Sequence, residues 1–156
     1  MIRRILVLIG NYLPPKINCF FFKLSGVNFN PTKVWIGNKS YIDTQFPENV
    51  YIEDNVCLSY NVNIITHFDP TESIKDHPIN RYNKKVKIKR GTFVGPGVTI
   101  LPGVVIGKNC FIRAGTVIKK SIPDFTIVEG NPQKILGKLN SKIASKINNK
   151  NKLDYF

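Results

Sequence analysis

The 156 residues suit one domain with short appendages and no more. Lys and Arg number 23 against 10 Asp and Glu, a formal charge of +13. This points to anionic partners (nucleic acid, an acidic membrane surface, a phosphorylated cofactor) or to a lysine-rich solvated face. Three cysteines without a CxxC spacing, Cys19, Cys57 and Cys110, argue against a disulfide frame or a zinc site and predict reduced thiols in a cytoplasmic protein.

The chain opens with "MIRRILVLIGNYLPP" and "KINCFFFKL". The first apolar run is too short to span a bilayer, and no small-residue cleavage pattern marks a signal peptide. Residues 1–30 are expected to be helical. They form either a pair of packing helices or an amphipathic segment in peripheral contact with the inner face of the cell membrane.

From residue 31 to residue 132 a six-residue rhythm takes over. Ile88, Val94, Ile100, Ile106, Ile112 and Ile118 are all Ile or Val, and Thr92, Val98, Val104, Cys110, Thr116 and Ile122 fill the plus-four position. Ile52, Leu58 and Ile64 hold the same register upstream, and Ile36 and Ile42 form an earlier pair offset by a four-residue slip around "TQFPEN". Neither a helix nor a plain strand repeats every six residues. "GPG", "LPG", "GKN" and "AG" recur between the aliphatics, so each strand is very short and ends in a bend. Such strands, wound around one aliphatic stack, make a hexapeptide parallel β-helix, and the fold class is mainly β.

On these motifs the chain, from Val34 to Leu139, resembles the hexapeptide-repeat acyltransferases, in the branch of the maltose/galactoside, xenobiotic and capsular-polysaccharide O-acetyltransferases. The resemblance implies a left-handed parallel β-helix, acetyl-CoA as acetyl donor with no metal required, and a homotrimer with active sites between subunits. It also implies a saccharide acceptor in surface or capsular polysaccharide synthesis. Fold alone carries no chemistry, so the site must be read residue by residue.

The rhythm lapses between Ile64 and Ile88, and a protruding loop is expected at about 68–87; loops of this length inside a compact domain are usually functional. His67 stands at its mouth, where the family carries its general base. An imidazole titrates near neutrality and can take the proton of an attacking hydroxyl. His77, mid-loop before Pro78, is read as surface or acceptor-contacting. Asp69 can orient the imidazole, bind acceptor or cap the "DP" turn. Asp43 stands where the sugar acetyltransferases carry an acceptor-binding Asn, or is a buried turn residue. Arg81 and Tyr82 are further acceptor-binding candidates. Backbone N–H groups of "VGPGV" (residues 94–98) are candidate oxyanion donors, with Pro96 unable to donate.

The stretch "RAGTVIKKSIPDFTIVEGNPQKIL" resembles the family's closing pattern. By that match Gly95, Pro96 and Ala114 line the pantetheine groove, Phe93 walls the acetyl arm where the family has Trp, and Lys119, Lys120 and Lys134 face the phosphates. Beyond it, Ile135, Leu139, Ile143 and Ile147 are spaced by four, as are the lysines from Lys134 to Lys150. Residues 133–156 are therefore expected to form an amphipathic helix, from Gln133 to Ile147, and a loose tail. The helix covers the end of the coil or binds an anionic membrane.

Other readings are weaker. N-acetyl transfer to a nucleotide-linked amino sugar uses the same fold. A hydratase of the γ-carbonic-anhydrase kind needs three imidazoles at one zinc, and only His67 and His77 exist. No nucleic-acid reading element is recognisable, so no nucleic-acid partner is expected. A non-catalytic β-helix would keep its function without His67.

Overall fold

The structure is a computed structural model, and it describes residues 1–74 and 81–139. Helix α1 (Ile2–Tyr12) and helix α2 (Ile17–Ser25) come first. Pro14 and Pro15 separate them, since proline disfavours helix in the residue before it and supplies no N–H. Gly26, in the left-handed region at φ +109°, closes α2. The helices pack closely: a Cβ on Gly10 would lie 2.9 Å from the Phe22 ring. They also seal the first turn of the coiled β-region. Asn18 Nδ2 donates to the Ile36 carbonyl at 3.0 Å, and the Ile42 N–H donates to Asn11 Oδ1 at 3.4 Å.

The strands are β1 (Trp35–Ile36), β2 (Tyr41–Ile42), β3 (Val50–Ile52), β4 (Cys57–Leu58) and β5 (Asn63–Ile64). An excursion then carries β6 (His67–Phe68) and β7 (Tyr82–Asn83). After it come β8 (Val86–Ile88), β9 (Phe93–Val94), β10 (Thr99–Ile100), β11 (Val105–Ile106), β12 (Phe111–Ile112), β13 (Val117–Ile118), β14 (Thr126–Glu129) and β15 (Lys134–Lys138). The first sheet runs β1-β4-β9-β12-β14-β15, the second β13-β10-β5-β2 and the third β11-β8-β3. Apart from β14–β15 every pairing in the three is parallel. The chain visits them in rotation, so it coils, and Phe93 meets Phe111 and Thr99 meets Val117, each 18 residues on.

Why the sequence does this is local. In a strand of two residues one side chain points out and the next points in. The inward one is the periodic aliphatic: Ile36, Ile42, Leu58, Ile64, Ile88, Val94, Ile100, Ile106, Ile112 and Ile118 are all fully buried. Each such side chain contributes about 1.5–3 kcal/mol by leaving water. A second column repeats with the same period: Gly91, Gly97, Gly103, Asn109 and Gly115 all have positive φ, between +50° and +83°. Gly and Asn tolerate that corner conformation and most residues do not.

The four-residue slip is absorbed after β2 by a 3₁₀ turn at Pro47–Asn49. From Ile64 to Ile88 the chain spends 24 residues where one hexapeptide step takes six, so 18 are inserted. The insert closes on itself: β6 pairs antiparallel with β7, His67 opposite Asn83 and Phe68 opposite Tyr82. The expected loop at 68–87 therefore begins and ends in paired strands, and Val86 and Lys87 already belong to β8. His77 lies outside the described residues.

The expected helix from Gln133 is corrected. Lys134–Lys138 is strand β15, antiparallel to β14, with Thr126 opposite Lys138 and Glu129 opposite Lys134. β14 ends its sheet and offers a row of open N–H and C=O groups, which the returning chain fills. Gly137 would cost about 1 kcal/mol in a helix interior. The spacing of four continues at Ile143 and Ile147, outside the described residues.

Candidate active site

Asp43 follows β2, and one coil further on Thr66 and His67 follow β5, because β2 and β5 are register neighbours. The Asp43 side chain is fully buried, and every polar group around it donates. Oδ1 accepts from the Gln45 N–H at 2.9 Å and the Phe46 N–H at 3.4 Å. Oδ2 accepts from the Thr66 N–H at 2.9 Å, the Thr66 hydroxyl at 2.7 Å and His67 Nδ1 at 2.5 Å. Burial pushes this carboxyl up, but the bonds from His67, Thr66 and Gln45 outweigh it and hold it below the usual carboxylate range. It is therefore ionised at neutral pH. An ionised carboxylate only accepts, so Nδ1 carries the hydrogen and Nε2 of the neutral ring keeps its lone pair. The Phe46 ring meets the imidazole edge-on, centroids 5.6 Å apart. The His67 side chain is 18% exposed. The arrangement is an imidazole fixed in one tautomer, able to accept a proton at Nε2.

Of the two readings of Asp43, acceptor contact and buried turn residue, the geometry agrees with the second: the side chain is sealed from solvent, accepts from the Gln45 and Phe46 N–H groups and holds His67. Asp69, read as one way of orienting His67, instead pairs with Arg81, Nε to Oδ1 at 2.5 Å and the guanidinium NH2 to Oδ2 at 3.3 Å. That exposed fork stands beside the ribbon that carries His67. Tyr82 stacks on Phe68 at 5.7 Å, and side-chain alternation puts that stack on the ribbon face opposite His67.

A separate cleft of about 150 Å³ is lined by Phe93, Gly95, Pro96, Phe111, Arg113 and Ala114, with Ile112 beneath. Four of the expected donor-binding residues, Phe93, Gly95, Pro96 and Ala114, thus meet in one place. Phe93 and Phe111 stack at 5.2 Å to wall it. Gly95 is required by close approach: a Cβ there would lie 2.8 Å from both the Ala114 nitrogen and the Ile112 oxygen. Arg113 and Ala114 also line a neighbouring cavity of about 510 Å³, with Glu129, Gly130, Asn131, Pro132 and Lys134. Arg113 is engaged by Glu129 at 2.5 Å. Lys119 and Lys120 line neither cavity; their backbone N–H groups donate to Gln133 Oε1. Of the "VGPGV" amides, the Gly95 N–H bonds the Ile112 carbonyl and the Gly97 N–H bonds the Tyr60 carbonyl, so neither glycine N–H is free to serve an oxyanion. Phe111 and Arg113 escaped the sequence reading, although each stands 18 residues, one coil, after Phe93 and Gly95. Among the described residues no group of three or more His, Cys, Asp or Glu is placed to hold a metal ion.

The model of the bacterial transferase hexapeptide (six repeats) matches residues 85–120. A galactoside O-acetyltransferase of Lactococcus lactis is 31% identical over 141 residues, 88% of this chain and 68% of that one. The chain belongs to the hexapeptide-repeat acetyltransferases. Two solved structures align over most of it. A galactoside acetyltransferase in complex with coenzyme A gives a TM-score of 0.69 at 22% identity, covering 91% of this chain and 81% of that one. A maltose O-acetyltransferase from Clostridium difficile gives 0.68 at 24%, covering 89% and 85%. Within this family of acetyltransferases the chain carries a fixed His67–Asp43 pair and an aromatic-walled cleft on one scaffold.

Proposed function

We propose that this chain transfers the acetyl group of acetyl-CoA to a saccharide hydroxyl, with His67 as general base, in the assembly of a surface polysaccharide. The acceptor O–H gives its proton to His67 Nε2 as its oxygen attacks the thioester carbonyl carbon. The C–S bond then breaks and the departing thiolate takes the proton back from His67, so atoms and charge balance. Asp43 touches no reactant; it holds the ring and offsets the charge that His67 acquires. The observation that carries the reading is the buried Asp43 carboxylate on Nδ1, which leaves the Nε2 lone pair available for the role of base. The Phe93–Phe111 cleft receives the pantetheine and acetyl arm, Lys134 faces the phosphates, and the Asp69–Arg81 fork contacts the acceptor. The surface-polysaccharide setting is supported by the basic, apolar outer face of the two N-terminal helices.

The coil is a left-handed parallel β-helix in a homotrimer. Support for the trimer comes from topology. The cleft lies at turns between the first and second sheets, whereas His67 leaves from the edge between the second and third. A thioester at one edge meets a base from another when a second copy is apposed.

The test is thiol release from acetyl-CoA with a panel of sugars and matched amino sugars, for the native chain and His67→Ala. Sugar-dependent release that His67→Ala reduces about 10²–10⁴-fold is expected. Release that survives the substitution removes the base, and release with amino sugars alone moves the chemistry to nitrogen.

A further inference from the structure

Nine of the sixteen large apolar side chains exposed among the described residues fall between Met1 and Leu24, so the outer apolar surface is concentrated on the two helices. Ile2, Ile5, Leu8, Ile9 and Tyr12 of α1 share an arc of about 120° at 3.6 residues per turn. The other side of that helix, Val7, Gly10 and Asn11, is buried against the protein. Ile17, Phe20 and Leu24 extend the apolar surface along α2. The outward side of a surface helix is normally polar, and here it is not.

The charge on the two helices is of one sign. Arg4, Lys16 and Lys23 are exposed at the flanks of this face, Arg3 lies on the far side of α1 with Val7 and Gly10, and neither helix carries a carboxylate; exposed Glu48 stands on the 3₁₀ turn that packs against α2. α1 has 11 residues. Its length of about 16 Å is half the hydrocarbon thickness of a bilayer, about 30 Å. No helix among the described residues is long and apolar enough to cross a membrane. An apolar stripe of this length with a cationic border suits a helix lying in the headgroup region of an anionic bilayer. A second copy suits it less well, since apposing two such faces sets three cations against three with no carboxylate on any of the helices.

We propose that the outward face of α1 and α2 is a docking surface for an anionic phospholipid bilayer, on which the protein lies without spanning it. The inference stands apart from the acetyl-transfer reading and from its test. The experiment is co-sedimentation of the full chain with vesicles of equal parts phosphatidylglycerol and phosphatidylcholine, and with vesicles of phosphatidylcholine alone. The chain is expected to sediment with the anionic vesicles, to be released as salt rises, and to remain in solution with the neutral ones. Arg4→Ala is expected to weaken partitioning about fivefold. Ile5→Asn with Ile9→Asn is expected to weaken it about tenfold or more, both sites being exposed. No sedimentation with anionic vesicles, equal sedimentation with neutral ones, or sedimentation that the double substitution leaves unchanged overturns the proposal. So does a fall in oligomer mass on that substitution with vesicle binding intact, which assigns the face to a second copy. The lipid and salt arms use the unaltered chain and decide the matter even where a variant misfolds.

Discussion

Replacing Asp43 by Asn changes few atoms and should remove most activity. The native carboxylate serves five donors, two on Oδ1 and three on Oδ2, and has no access to water. An amide keeps only one of the two oxygens. If its NH2 takes the place of Oδ2, it faces the Thr66 N–H and the imidazole, and His67 must move its hydrogen to Nε2 to avoid a donor–donor contact. That tautomer cannot accept a proton where the acceptor needs it. If its NH2 takes the place of Oδ1, the ring keeps its tautomer but the Gln45 and Phe46 amides lose their acceptor. A buried donor left unpaired costs about 1–3 kcal/mol.

The expected result combines a stability loss of about 2–4 kcal/mol with a kcat lowered about 10²–10⁴-fold, or about 3–5 kcal/mol of barrier. Urea unfolding measures the first and saturating thiol release the second. Because the folded state holds this carboxyl below its ordinary value of about 3.9, its contribution to stability is present above that pH and fades as pH falls through the lower, folded value. The stability gap between native chain and Asp43→Asn should therefore narrow in acid. A variant with kcat within threefold of native, or a gap that widens below pH 4, would refute the account of how His67 is held.

Ile100→Ala removes a fully buried side chain from the middle of the aliphatic stack and should cost about 2–5 kcal/mol, read as a fall in urea midpoint. Asp69→Asn opens the exposed fork to Arg81; stability should move by less than about 1 kcal/mol while KM for the acceptor rises with little change in kcat. A change confined to kcat would place the fork elsewhere than at the acceptor.

Much of the coil was legible because its rules are local. The inward aliphatic and the Gly or Asn corner each recur every six residues, and each is set by the conformation of its own position. The partner of His67 was harder to see. It stands 24 residues upstream, and the coil period alone points to residue 49. Adding the four-residue slip after β2 to the 18-residue coil gives 22, the offset by which Ile42 meets Ile64, and this brings Asp43 beside Thr66 and His67. The slip is visible in the sequence, but the pairing emerges only when it is added to the coil period. The end of the chain misled for another reason. Ile135 and Leu139 have helical spacing, yet the open edge of β14 is a stronger local demand than propensity, and β15 pairs with it. Such an edge exists only once the coil is built.

The separation of cleft and base makes one more prediction. His67→Ala leaves the Phe93–Phe111 cleft untouched. Ala114→Trp fills that cleft from an exposed position and leaves the His67–Asp43 pair untouched. If one protomer held a whole site, mixing the two inactive variants would restore nothing. If each site joins the cleft of one copy to the His67 of the next around a ring, an intact junction forms wherever an Ala114→Trp subunit supplies its base to a His67→Ala subunit. Random assembly from equal amounts makes roughly a quarter of the junctions intact. Unfolding and refolding the mixture should therefore recover about a quarter of native thiol release per subunit, from two preparations that each show almost none. Recovery depends on subunit exchange, so mixing without unfolding provides the baseline. No gain after refolding, with oligomer mass unchanged, would place cleft and base in one chain and remove the shared site.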